Sequence, residues 1–257
     1  MPTYTVIKGS GSYLPEIIVK NEDFLNNEFL DASGQKIQKE NSAIIKKFQE
    51  ITEIEERRYL EPGLNTSDMA FIASQRAIEA AGIDPETLDY IIVAHNFGEI
   101  RHGNKKSDLV PTIASRVKHL LKIENPDCVA YDLPFGCPGW VQGVIQANYF
   151  IKSGDAKRAL IIGAENLSIG FDHMRAISWR IAQHAECRAD NRQAIFARNM
   201  RKLVNLFARH PMRVRSFAMG KGHGLHSCLI ARLMFTAMDV SMVQVGHGWP
   251  HSLNRKC

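Results

Sequence analysis

The grouping best suited to covalent chemistry in this 257-residue chain is Phe135-Gly-Cys-Pro-Gly-Trp140. A cysteine attacks as its thiolate, and the free N–H groups at the start of a helix lower a thiol's pKa. Pro134, Gly136 and Pro138-Gly139 break the apolar run that precedes them, so Cys137 falls on a tight turn. Pro138 lies near the first position of the following helix, where proline is favoured. Two readings of Cys137 stay open on this basis: a nucleophile, or a small hydrophobe packed in a core.

The flanking elements form a strand, elbow, helix and strand. Val129 to Leu133 is a short apolar run suited to a buried strand. Val141, Val144, Ile145, Tyr149 and Phe150 recur at helical spacing up to the stop at Ser153-Gly154, and Ala159 to Ala164 reads as a second buried strand. Upstream, Met69 to Gly82 reads as an amphipathic helix with Thr66 or Ser67 as N-cap and Gly82 as terminator. Tyr90 to Ala94 is another buried strand. The alternation predicts an α/β fold with a largely parallel sheet.

Tyr131-Asp132, the Phe-Gly-Cys-Pro-Gly-Trp elbow, Lys152-Ser-Gly154 and Ala159-Leu-Ile-Ile-Gly-Ala-Glu165 together resemble β-ketoacyl-acyl-carrier-protein synthase III of the thiolase superfamily. The resemblance covers residues 1–168 and only the N-terminal half of that fold. It implies a thiolase-like half-fold, with a mixed, mostly parallel sheet and helices on both faces. It assigns Cys137 as the residue that accepts an acyl group from a thioester. The acyl group would then meet the carbanion left when a carrier-bound malonyl unit loses CO2, a step of fatty-acid or polyketide-type synthesis. No cofactor or metal is implied. Acyl-CoA or an acyl-acyl-carrier protein is the substrate, acyl-carrier protein the partner and a homodimer the assembly. Leu109 and Val110, before the helix read over Val110–Lys122, match the segment that contributes to a partner's acyl pocket.

Several segments refine that picture. Residues 4–13 read as a strand entering a glycine turn at Gly9-Ser-Gly11, and residues 20–60 as mostly helical and charged. Thr52 to Arg57 aligns with the family's Thr-Gly-Ile-Arg-Glu-Arg, with Glu53 in place of the glycine and Glu55 in place of the first arginine. The family's upstream tryptophan falls near Lys47. A carboxylate at 55 would repel the phosphates of coenzyme A, which favours an acyl chain delivered on a carrier protein. His95-Asn96 ends a strand, where ligand crevices open, whereas His102-Gly103-Asn104 runs into two lysines and reads as a surface loop. Arg116, Lys118 and Lys122 read as a solvated helix face or, more sharply, as a dock for an acidic carrier.

After Ser168 the composition changes. Residues 1–168 hold 18 Lys+Arg against 23 Asp+Glu, whereas residues 169–257 hold 14 against 4, so the net charge turns from −5 to +10. The same stretch carries 7 of the 9 methionines and 7 of the 10 histidines. Three readings compete for it. One is a nucleic-acid-binding extension, without a recognition signature to support it. Another is a metal site at His184-Ala-Glu-Cys187 and His223-Gly-Leu-His-Ser-Cys228, without the paired spacing of a zinc module. The third, favoured by the abruptness of the shift, is out-of-frame sequence joined to a truncated synthase. The family's downstream His and Asn motifs do not appear, so condensation is expected to fail even if Cys137 accepts an acyl group. The alternative from another class is a non-catalytic remnant or binding module whose basic tail contacts carrier protein or nucleic acid. No signal peptide or membrane span is predicted, and five cysteines without framework spacing predict a cytoplasmic setting.

Overall fold

The computed structural model describes residues 3–31, 34–101, 107–136, 138–166 and 168, together with the backbone of Ser241–Pro250. Cys137, residues 102–106 and the two stretches read as metal-ligand candidates, His184 to Cys187 and His223 to Cys228, lie outside the described residues. Two compact units emerge. One comprises Met1–Pro15, Leu60–Gly170 and Asp239–Cys257, and the described part of the other is Glu16–Tyr59.

The first unit is built on a five-stranded sheet. Its strands are β1 (Thr3–Tyr13), β4 (Tyr90–His95), β7 (Val129–Pro134), β8 (Arg158–Gly163) and β9 (Ser241–Pro250), in the spatial order β1-β9-β8-β4-β7. β4 runs parallel to both β7 and β8, whereas β9 is antiparallel to both of its neighbours. Ten residues from beyond position 168 therefore take part in this sheet. A two-stranded ribbon, β5 (Glu99–Ile100) with β6 (Ser107–Asp108), lies between β4 and the next helix in sequence.

Continuous apolar runs in β4 and β8 reflect burial on both faces. Ile91, Val93, Leu160 and Ile162 join Ala70, Ala73 and Ala77 of α2 (Thr66–Ala81) and Ile113, Ala114 and Val117 of α3 (Ile113–Leu120) in one core. On the other face, α4 (Gly139–Ser153) lies so close that a Cβ on Gly143 would come 2.8 Å from Ile161 and 3.7 Å from Ile92. The α/β architecture, mostly parallel and covered by helices on both faces, agrees with the sequence expectation.

Some local expectations need correction. α2 is capped by Asn65, whose backbone N–H donates to Asp68 Oδ2 at 2.8 Å, and not by Thr66 or Ser67, which lie inside the helix. The Gly9-Ser-Gly11 stretch is not a turn. It is interior to β1, where Gly9 and Gly11 lie directly against the backbone of Ala77, Ala81 and Ala73 in α2. The helix read over Val110–Lys122 is shorter, because Thr112 caps it by accepting from Ser115 N at 3.1 Å.

In the second unit, the segment read as mostly helical contains a single α-helix, α1 (Asn41–Thr52), while β2 (Ile17–Lys20) pairs with β3 (Glu56–Tyr59). Asn21 holds the junction, donating from Nδ2 to Ile54 O at 2.8 Å and accepting from Arg57 at 2.7 Å. Arg57 lies 5.0 Å over the Phe24 ring, and burial lowers its pKa. Glu53 terminates α1 with φ +56, a left-handed conformation that strains any residue with a Cβ. A glycine, which the resemblance aligns with this position, would take that conformation without strain. Glu53→Gly is expected to stabilise the fold by about 1 kcal/mol, seen as a raised urea midpoint without a change in slope. An unchanged or lowered midpoint would show that the Glu53 side chain compensates for its backbone.

Candidate active site

The parallel strands β4, β7 and β8 end on the same side of the sheet, the side where α/β folds open their ligand crevices. There the chain places His95 at the end of β4 and Asn96 after it, Pro134 at the end of β7 with Phe135, Gly136, Pro138 and Gly139 beyond it, and Ala164 to Asn166 after β8. The N-termini of α3 and α4 meet the same edge.

Asp132 organises one side of this edge. Its Oδ1 accepts from Ala114 N at 2.8 Å and its Oδ2 from Ile113 N at 2.8 Å, so it binds the first turn of α3. The fully buried His95 ring lies 3.0 Å from Oδ2 through Nε2. Gly98 N donates to its Nδ1 at 3.0 Å, which fixes the neutral tautomer with hydrogen on Nε2 pointing at Asp132. Both ring nitrogens are thus occupied within the protein. His95 locks the β4 end to β7 and α3 and has no free nitrogen with which to face a substrate.

Asn96 is the exposed residue of the pair. Its backbone N–H and its Nδ2 both donate to Glu165 Oε2, at 2.5 and 2.7 Å. Burial pushes the Glu165 pKa up, against the opposing effect of these hydrogen bonds and of one from the Phe97 backbone. Nearby, Glu99 is buried and accepts from Ser67 N at 2.9 Å and Ser67 Oγ at 2.6 Å, anchoring the start of α2.

The elbow after β7 passes through Gly136 at φ +81, Pro138 and Gly139. Position 137 is bracketed by these residues, immediately before the first turn of α4. Among the described residues no side chain caps that helix; Gly139 N donates to Gly136 O at 2.9 Å, and the N–H groups of Trp140 and Val141 are the ones a side-chain cap would otherwise take. Leu109 and Val110 precede α3 and are 54% and 81% exposed, as an apolar pair awaiting a covering surface would be. The basic face of α3 is largely committed internally. Arg116 binds Asp108 at 2.8 Å and Pro111 O at 2.9 Å, and Lys118 donates to the carbonyls of Asn125 and Cys128 at 2.7 and 2.8 Å. Neither is the solvated residue expected from charge patterning, and only Lys122 of the three is exposed. Cys128 is buried, which raises its pKa.

Among the described residues, no three His, Cys, Asp or Glu side chains are grouped to hold a metal ion, and no helix is long and apolar enough to cross a membrane. The sequence signals His95 through its place at a strand end but not its lock on Asp132, and Glu165 only as part of a motif. A charged residue just past a buried parallel strand was the available signal for Glu165.

Sheet, crossover helices and the elbow at the strand ends define a thiolase-like α/β half-fold. Residues 131–179 match the family described as 3-Oxoacyl-[acyl-carrier-protein (ACP)] synthase III. The Beta-ketoacyl-[acyl-carrier-protein] synthase III of Xanthomonas campestris pv. campestris (strain 8004) is 33% identical over 177 residues, covering 68% of this chain and 45% of that protein. The 3-oxoacyl-[acyl-carrier-protein] synthase III of Aquifex aeolicus VF5 superposes with a TM-score of 0.50 at 30% identity, over 64% of this chain and 46% of the other. The corresponding synthase III of Thermus thermophilus gives 0.53 at 22% identity, over 93% and 50%, a likeness of fold. Over the part these similarities cover, the chain is related to β-ketoacyl-[acyl-carrier-protein] synthase III. It spans about half the length of the relatives it matches.

Proposed function

We propose that this chain is an acyl acceptor of the β-ketoacyl-acyl-carrier-protein synthase III type, with Cys137 as the nucleophile. The observation that carries this reading is the start of α4, without a side-chain cap among the described residues, directly after the glycine elbow, in a stretch that matches the family. Helix N–H groups left without a side-chain cap favour an anion, and a thiolate at 137 would gain from them. The thiolate would attack a thioester carbonyl; its new C–S bond forms as the bond to the carrier sulfur breaks, and the carrier leaves as a thiol. Acyl-carrier protein is the expected donor, since Glu55 is exposed where the family's arginine would hold coenzyme A. A second copy of the chain is the expected cover for Leu109 and Val110. The reading places residues 1–168 as the thiolase-like domain and 169–257 as a basic extension that lends a strand to its sheet.

The test is mass spectrometry of the full chain after incubation with acyl-CoA and, separately, with acyl-acyl-carrier protein. One acyl adduct, lost in Cys137→Ala and never found on buried Cys128, is the expected result. An adduct from neither donor would remove the acceptor role and favour a non-catalytic binding module.

A further inference from the structure

We propose that Glu165 is a positioning residue for the cysteine elbow, acting through Asn96; this rests on the reading of Cys137 as nucleophile. The end of β4 is the floor on which the elbow lies. A Cβ on Gly139 would come 3.0 Å from Ala94 Cβ, and one on Gly136 would come 3.4 Å from Asn96 Oδ1. Positions 136 and 139 bracket residue 137, so Ala94 and Asn96 support the elbow from both flanks. That floor is in turn held by the residues after β8. Ala164 N donates to Ala94 O at 3.1 Å, and Glu165 Oε2 takes both N–H donors of Asn96.

The double hydrogen bond determines which way the Asn96 amide faces. With Nδ2 committed to Glu165, Oδ1 is the atom turned toward Gly136. A side chain wanted only for packing would not need an oxygen that accepts both Asn96 donors. Glu165 Oε1 is buried without a partner among the described residues, and burial of the carboxylate raises its pKa. Groups kept in unfavourable surroundings at strand ends are often retained for a site rather than for stability. The influence of a helix start on a thiol fades within one turn. A displaced elbow therefore changes both the ionisation and the approach of Cys137.

The experiment follows alkylation of Cys137 in the full chain by iodoacetamide across pH, resolved by peptide mass spectrometry, beside the urea midpoint of each variant. Glu165→Ala and Asn96→Ala are expected to slow Cys137 labelling by about tenfold or more and to move its pH midpoint upward. Glu165→Gln, whose carbonyl oxygen can accept both Asn96 donors, is expected to restore the wild-type profile. Alanine variants with an unchanged profile, whatever their urea midpoints, would overturn the proposal, as would a failure of glutamine to rescue. Should Glu165→Ala not fold, Asn96→Ala and Glu165→Gln decide the matter. Iodoacetamide needs no acyl donor, so a chain that alkylates but does not acylate loses the acceptor role while this proposal is still judged by the profile.

Discussion

Replacing Asp132 by alanine is expected to destabilise the sheet unit by roughly 3–5 kcal/mol, because each buried donor left without an acceptor costs about 1–3 kcal/mol. Three donors lose their acceptor at once: Ile113 N, Ala114 N and His95 Nε2. The Asp132 side chain is 8% exposed and that of His95 fully buried, so water has little access to replace it. The carboxylate also lies at the start of α3, where a negative charge opposes the positive end of the helix dipole. Asp132→Asn sharpens the test. Its single carbonyl oxygen can serve one or two of the donors, while its NH2 would face another N–H, so it is expected to recover less than half of the loss. Urea unfolding of the full chain measures both variants. A loss below about 1 kcal/mol in the alanine variant would mean that the start of α3 rearranges to reach solvent or another acceptor.

Gly11→Ala is the second large effect. A Cβ on Gly11 would lie 2.5 Å from Ala77 N and 2.8 Å from Arg76 Cβ, against the helix backbone and not the tip of a flexible side chain. Either α2 withdraws from β1 or the strand moves in its sheet, and both open the packing around Ala73 and Ala77. Overpacking of this kind costs about 3 kcal/mol. Ser10→Ala, at an exposed neighbouring position of the same strand, is expected to change stability by no more than about 0.5 kcal/mol. Equal effects at the two positions would show that backbone propensity, and not the helix contact, governs β1.

The two predictions fall on residues that the sequence treats very differently. Gly9-Ser-Gly11 attracts notice at once, but glycine pairs suit turns as well as close approaches, and nothing local tells them apart. The deciding partner is a run of alanines more than sixty positions away. Asp132 attracts little notice beyond its motif, since a single acid in an apolar strand carries no period of its own. Its importance follows from the β4–β7 pairing, in which Val93 faces Asp132 and His95 lies two positions on, beside Pro134. A shift of one residue in that register would turn the two side chains to opposite faces of the sheet.

What the sequence determined by itself is the set of elements around the elbow. The apolar runs of β4 and β8, the periodic face of α4, and the Gly and Pro breaks are local signals. By contrast β7, read as a buried strand, is the half-exposed edge of the sheet, because strand order and not local sequence decides which run is covered. The relationship to synthase III was legible because its motif is contiguous from Tyr131 to Glu165. Only the tertiary structure decided which polar groups meet. It turned Arg116 and Lys118 inward, closed both nitrogens of His95, joined Glu165 to Asn96, and set Ser241–Pro250 between β1 and β8. Those choices depend on strand order, register and helix approach, which bring together residues up to hundreds of positions apart. No local period encodes them.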